Sequence, residues 1–363
     1  MKTSTSKRLR WNVAIWLAAG LFMTGASGMA AGPIMPDPKA EARHQPQIEE
    51  TANGIPLVNI TAPSSGGVSR NEYETFNVPD KGAILNNSYT LSKTELAGYV
   101  QGNNNMAERP AKIIVNEVTG AGPTSMDGFL EVAGNRADVV IANPNGITVN
   151  GGGFINTGKA FLTTGKPVYD GEDHLQRFDI TGGDILIEGK GLGGKETGSL
   201  AILSRAVKIN AGIWAKDLHI TTGANTVDAK TLEASAIEGK GERPAFALDT
   251  AAIGGMYAGR ITLVGTEKGL GVNNSGTWSA EDNLILDWNG DLKNSGTIYS
   301  KGNTDIRANC LENDKTIAAG KDITASADGH VTNTGTMGAG INEIGKLTET
   351  GTLEIQSRRV DNR

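Results

Sequence analysis

Apolar and polar residues alternate at short range along most of the chain. Val207 and Ile209 flank Lys208, and Leu218 and Ile220 flank His219. A period of two predicts half-buried strands. Ile113-Ile114-Val115, Val139-Val140-Ile141, Ile185-Leu186-Ile187 and Leu284-Ile285-Leu286 are short apolar runs that alternate with Gly/Asn turns along the chain, and they also predict strands. Thr90 to Val100 fits neither period. Beyond the first 30 residues no strongly amphipathic helix is predicted.

The start of the chain has a different pattern. Lys2, Lys7, Arg8 and Arg10 precede an apolar run from Val13 to Met23, and Gly28-Met29-Ala30 follows with small-x-small spacing. Basic, apolar and then small is the layout of a secretory signal, so residues 1–30 predict export through the Sec route. The run is shorter than the roughly 20 residues needed to span a bilayer. No later run reaches that length, so no membrane-spanning segment is expected in the mature chain. Pro33, Pro36, Pro38 and Pro46 among charged residues predict an extended linker over 31–50.

The last third repeats. Asn274-Ser275-Gly276-Thr277 recurs as Asn294-Ser295-Gly296-Thr297, Asn313-Asp314-Lys315-Thr316 and Asn333-Thr334-Gly335-Thr336, at spacings of 20, 19 and 20 residues. Short strand patterns at Leu284-Ile285, Asp305-Ile306-Arg307 and Ile323-Thr324-Ala325 lie between the markers. A fixed period near 20 predicts a solenoid, with one β-helix coil per repeat. Each coil turns its aliphatic side chains inward and pairs its backbone with the coils above and below. Stacked Asn side chains can then form ladders. Thr350-Gly351-Thr352 reads as a partial marker, and residues 271–363 are expected to be the front of a longer array.

Composition agrees. The 363 residues include 49 Gly, 34 Thr and 29 Asn, with aromatics at 5%. Such a chain favours many tight turns over helix interiors. Net charge is −6 and becomes −10 once the four basic residues of the first segment are removed. An acidic exported chain argues against nucleic-acid binding. Cys310 is the only cysteine, which excludes an internal disulfide framework and a multi-thiolate metal site. It is expected to be a buried or half-buried coil residue.

The most informative stretch is 53–167. It runs from NGIPLVNITAPSSGGVSRNEYETFNVPDKGAILNNS through LAGYVQGNNNM and IIVNEVTG to GFLEVAGNRADVVIANPNGITVNGGGFINTGKAFLTTGKP. This closely resembles the N-terminal secretion domain of two-partner secretion exoproteins, the filamentous haemagglutinin and contact-dependent inhibition family of Gram-negative bacteria. The repeats resemble the haemagglutinin repeats that follow that domain. The resemblance implies an all-β fold, a right-handed parallel β-helix with an N-terminal cap and extra-helical hairpins, with the secretion domain over 51–270. It also implies recognition by an outer-membrane β-barrel transporter with periplasmic soluble domains, passage unfolded through the periplasm, and folding at the cell surface or release. A host or neighbouring-cell receptor would follow for the whole protein.

The family's two Asn-Pro-Asn signatures map by position. The second is intact as Asn143-Pro144-Asn145-Gly146-Ile147. The first corresponds to Asn103-Asn104-Asn105-Met106, with Asn104 in place of proline and Met106 in place of leucine. The family's Ser-His-Asn is Ser69-Arg70-Asn71 here, a change expected to matter little. The close cysteine pair of some members is absent, since Val149 and Gly152 stand there. From the residues themselves, Asn143-Pro144-Asn145-Gly146 is a strong turn between strands: Pro144 fixes φ, and Asn145 and Gly146 tolerate left-handed conformations. A coil corner and a transporter-recognition element are both compatible with it. Asn116 and Glu117 read as ladder or turn stabilisers, and Gly151, Gly152 and Gly153 as turn glycines.

Little points to catalysis. Gly153 to Lys159 and Gly189 to Lys195 imitate a phosphate loop, but Ala160 and Glu196 replace the required hydroxyl. His44, His174, His219 and His330 are scattered without metal-ligand spacing. No metal, cofactor or catalytic residue is therefore assigned. The alternative class is a polysaccharide lyase or hydrolase on the same fold, which needs a carboxylate cluster on one face of the coils. The expected role is a non-enzymatic exoprotein that serves adhesion or presents a C-terminal toxin.

Overall fold

The computed structural model describes residues 32–106 and 109–363. The segment read as an export signal lies outside the described residues. From Pro56–Asn59 onward the strands wind into a parallel β-helix with three strands per coil. Each strand pairs with its counterpart one coil earlier and one coil later. One face stacks Ala83–Asn87, Phe129–Gly134 and Gly152–Ile155, and later Thr277–Ala280, Thr297–Ser300 and Thr316–Ala319. A second stacks Val68–Phe76, Ile113–Val118, Ala137–Ala142, Thr157–Thr163 and Ser199–Ser204. The third runs without a break from Thr124–Met126 to Arg359–Asn362. Gly212–Thr222 and Gly255–Gly265 are long enough to cross from the first face to the second.

One apolar core fills the bore. Ile114, Val139, Ala160, Leu200, Leu218, Ile261 and Leu284 belong to it and are all but sealed from solvent. A second cluster lies on the outside of the second face, built from Val115, Val140, Phe161, Phe178, Ala201, Leu203 and Val227. It is roofed by an extra-helical antiparallel sheet of Lys166–Tyr169, Leu175–Ile180, Asn225–Asp228 and Ala234–Ala236. Strands buried on both sides have no polar alternate positions, which explains the unbroken Val139-Val140-Ile141 run. The ambiguous Thr90–Val100 stretch is a small separate hairpin of Ser92–Thr94 and Gly98–Val100.

Residues 33–50 differ from the extended linker expected of them. Ile34–Pro36 pairs antiparallel with the far end of Val68–Phe76, and Gln47–Glu50 pairs with Pro56–Asn59. Ile34 joins the core, and His44 is buried. Pro36 ends one strand and Pro33 and Pro46 directly precede strands, where a missing N–H is tolerated, and Pro38 lies in a turn.

The repeats stack as expected. Asn274 donates to Asn294, Asn294 to Asn313, Asn313 to Asn333 and Asn333 to Asn362, with Nδ2–Oδ1 distances of 2.8, 2.7, 2.6 and 2.7 Å. The fifth rung is thus Asn362. Thr350-Gly351-Thr352 does not extend the ladder; it enters the strand Leu353–Gln356 after an irregular excursion from Gly340.

Candidate functional site

The two Asn turns are built alike. Asn143 is fully buried, while Pro144 and Asn145 are exposed. Asn143 Oδ1 accepts the Asn145 N–H at 2.9 Å, and its carbonyl accepts the Gly146 N–H at 3.1 Å. Its Nδ2 reaches back to the Gly122 carbonyl and to Thr124 Oγ1, each at 3.0 Å. Asn145 Nδ2 adds a bond to the Gly120 carbonyl at 2.8 Å.

In the first turn Asn103 is buried and Asn104 exposed. Asn103 Oδ1 accepts the Asn105 N–H at 2.9 Å, and its carbonyl accepts the Met106 N–H at 3.1 Å. Asn103 Nδ2 spans the Ile60 and Asn86 carbonyls, both at 2.9 Å, and Asn105 Nδ2 reaches Ile60 at 3.1 Å. With Asn104 in place of proline, the turn still makes the same two internal hydrogen bonds. The fourth position differs: Gly146 adopts φ +109° and lies against the Asp184 carbonyl, whereas Met106 enters the core. Asn145 stays out of the left-handed region. Ile147 is buried and pairs with Thr124 and Ile185 on either side.

The other motif residues divide. Asn116 and Glu117 lie inside the strand Ile113–Val118, not at a turn. Asn116 Oδ1 accepts the Tyr73 hydroxyl at 2.9 Å, and its Nδ2 donates to the Val140 carbonyl at 3.1 Å. Gly151 is a turn residue at φ +97°, but Gly152 and Gly153 are strand residues. A Cβ on Gly153 would stand 2.4 Å from Phe129 Cε1 and 2.8 Å from the Gly193 carbonyl, so close approach explains that glycine. The first phosphate-loop mimic is coil strand on both sides of Asn156, with no helix after it. The second spans a turn at Gly189 and Gly191 before Leu192–Gly194.

A charged cluster of consequence surrounds Arg70. Its Nη2 lies 2.9 Å from Glu72 and 3.4 Å from Glu117 on the next coil, and its guanidinium sits 4.4 Å from the centre of the Tyr169 ring. His44 from the N-terminal segment contacts Glu72 at 3.0 Å. Arg43 joins Asp173 of the extra-helical loop at 2.7 Å. Burial pushes the Glu117 carboxyl up, with Arg70 opposing and Glu72 adding to the shift. Burial also holds His44 below its usual range, helped by Arg70. Arg70 thus ties the N-terminal segment, two coils and the outer sheet together. Sequence reading gave Arg70 little weight, because its partners are distant in the chain.

The remaining candidates are structural. Cys310 is half-buried, with Sγ 3.4 Å from His330 Nδ1 on the next coil. His219 faces outward and its Nε2 lies 2.9 Å from Thr221 Oγ1. Among the described residues no group of three or more His, Cys, Asp or Glu side chains is placed to hold a metal, and no helix is long and apolar enough to cross a membrane.

A family profile described as the TPS secretion domain matches residues 33–298. It begins inside the segment read as linker and runs past residue 270. A toxin CdiA of Yersinia pestis is 42% identical over 298 residues, covering 76% of this chain and 9% of that protein. A 16S rRNA endonuclease CdiA of Enterobacter cloacae is 42% identical over 309 residues, covering 85% and 9%. A tRNA nuclease CdiA of Yersinia mollaretii is 38% identical over 353 residues, covering 90% and 12%. The chain spans about a tenth of the length of these relatives. The crystal structure of the filamentous hemagglutinin secretion domain superposes with a TM-score of 0.67 at 29% identity, covering 89% of this chain and all of that one.

Proposed function

Because this chain belongs to the TPS secretion-domain family, we propose that it is the export-directing N-terminal portion of a two-partner secretion exoprotein. Its partner is an outer-membrane β-barrel transporter with periplasmic soluble domains. The chain enters the periplasm through the Sec route, crosses the outer membrane unfolded, and winds into its β-helix at the surface of a Gram-negative cell. The observation that carries this reading is the family match over residues 33–298, which contains both Asn turns.

The coil architecture supplies a physical rationale. A newly emerged coil buries almost nothing alone and gains its stability by stacking on the coil before it. Stacking outside the membrane makes back-sliding unfavourable and biases transport outward without ATP. In this reading the domain itself is not an enzyme. Its relatives include proteins named as nucleases, yet this chain matches only about a tenth of their length. Downstream, the whole protein would present a C-terminal toxin or act as an adhesin, and the 38–42% identity to CdiA proteins favours toxin presentation.

Co-expression with the barrel transporter of the source genome tests the proposal. Folded, protease-resistant chain is expected at the surface or in the medium only when the transporter is present. Equal appearance outside cells without it would overturn the reading.

A further inference from the structure

We propose that the outside of the first β-helix face carries a binding strip for a neutral, linear glycan, centred on Trp214 and Tyr257. In-register pairing places Phe129, Gly153, Gly193, Trp214 and Tyr257 in one outward-facing column, each residue one coil from the next. Aromatics are only 5% of the chain, yet three occupy this column. Phe129 and Tyr257 are 42% and 40% exposed. The Trp214 and Tyr257 rings lie nearly parallel, 17° apart, with centroids separated by 6.1 Å.

Each ring covers a glycine. A Cβ on Gly153 would collide with Phe129, one on Gly212 would come within 2.5 Å of Trp214 Cη2, and one on Gly255 within 2.9 Å of Tyr257 Cε2. The glycines let the rings lean onto the sheet instead of standing off it; Phe129 and Tyr257 offer their remaining surface to solvent, and Trp214 between them is half-buried. An aromatic face offered in this way suits the C–H face of a pyranose, an apolar surface rimmed by hydroxyls.

The surroundings select the ligand class. Gly212 and Gly255 continue into a lane of Thr277 and Thr297, which supplies hydroxyls beside the rings. On the other side Asp217 and Arg260 pair at 2.7 Å and Glu281 pairs with Lys301, while exposed Lys216 lies outside these pairs. A lane of mostly paired charges and hydroxyls is a poor seat for an apolar helix, and one lysine is little charge to hold a polyanion. Coil-on-coil stacking makes the column straight, which fits a chain laid along the solenoid axis. Beyond Ser279 the column reaches Tyr299, which is buried, so the open strip ends there.

Affinity electrophoresis of the secreted full chain through gels containing hydroxyethyl cellulose, xyloglucan, laminarin or dextran provides the test. Trp278 and Trp288 are buried, so among the described residues Trp214 is the tryptophan that can report contact by fluorescence. Retardation by at least one polymer is expected, with a shift in Trp fluorescence. Trp214→Ala with Tyr257→Ala should weaken retardation at least tenfold without lowering the melting temperature, and Trp214→Phe should retain most of it. No retardation by any of the four, or retardation untouched by the double variant, would overturn the proposal. A concentration-dependent dimer abolished by the same variant would assign the strip to a second copy of the chain and would equally overturn it.

Discussion

Asn103 and Asn143 hold equivalent positions in two turns of unlike sequence. Each buries its side chain, accepts the N–H of the residue two ahead at 2.9 Å, and donates Nδ2 to at least one backbone carbonyl of a neighbouring segment. The corner is therefore defined by the first and third Asn, and the middle residue is exposed in both. Asn104→Pro should then be neutral or stabilising by about 0.4–1 kcal/mol, through a stiffer unfolded chain. Thermal unfolding of the variant checks this, and a clear drop in melting temperature would show that the two corners differ.

The Asn ladder predicts a local effect. Asn294 accepts from Asn274 and donates to Asn313 and to the Thr316 carbonyl. Asn294→Ala leaves buried partners unmet, at about 1–3 kcal/mol. Because coils contact only their neighbours, protection in hydrogen exchange should fall around residues 272–319 and hold within Ile113–Val118 and Ala137–Ala142.

Arg70 makes a sharper case. Arg70→Leu leaves the buried Glu117 without its cation and Glu72 with His44 alone, and should destabilise by about 3 kcal/mol. The loss should shrink as pH falls, since burial already pushes the Glu117 carboxyl up and its protonation removes the stranded charge, and should shrink also in the triple variant that adds Glu72→Gln and Glu117→Gln. Denaturant midpoints at pH 7 and pH 5 measure both effects. A loss independent of pH would point to packing against Tyr169 instead.

His219 gives a separate pH signature. Burial pushes its pKa down to about 4, below the usual 6.5. A histidine depressed in the folded state takes up its proton more readily when unfolded. Its contribution is therefore complete above pH 6.5 and is lost as pH falls toward 4, by up to ~3 kcal/mol. His219→Gln should flatten the stability profile over that window; an unchanged slope would assign the acid sensitivity to other groups.

Much of the fold was legible because the repeats are regular. Asn274, Asn294, Asn313 and Asn333 recur at nearly constant spacing, so coil length, corner and ladder could be read directly. Earlier coils hide their period, since hairpins such as Lys166–Tyr169 with Leu175–Ile180 lengthen them. Asn116 and Glu117 have turn-like composition, but their strand conformation is set by Tyr73 and Arg70 on the preceding coil. The prolines of 33–50 suggested a linker, whereas burial of Ile34 and His44 decides otherwise. The column from Phe129 to Tyr257 exists only through cross-coil register, which no local pattern reveals.

Secretion of Asn143→Ala tests the central claim most directly. With the transporter co-expressed, wild-type chain should accumulate outside the cell, and the variant should fall at least several-fold, because its corner loses the bonds to Gly122, Thr124 and Asn145. Export of the variant at the wild-type level and rate would contradict a folding or recognition role for this turn.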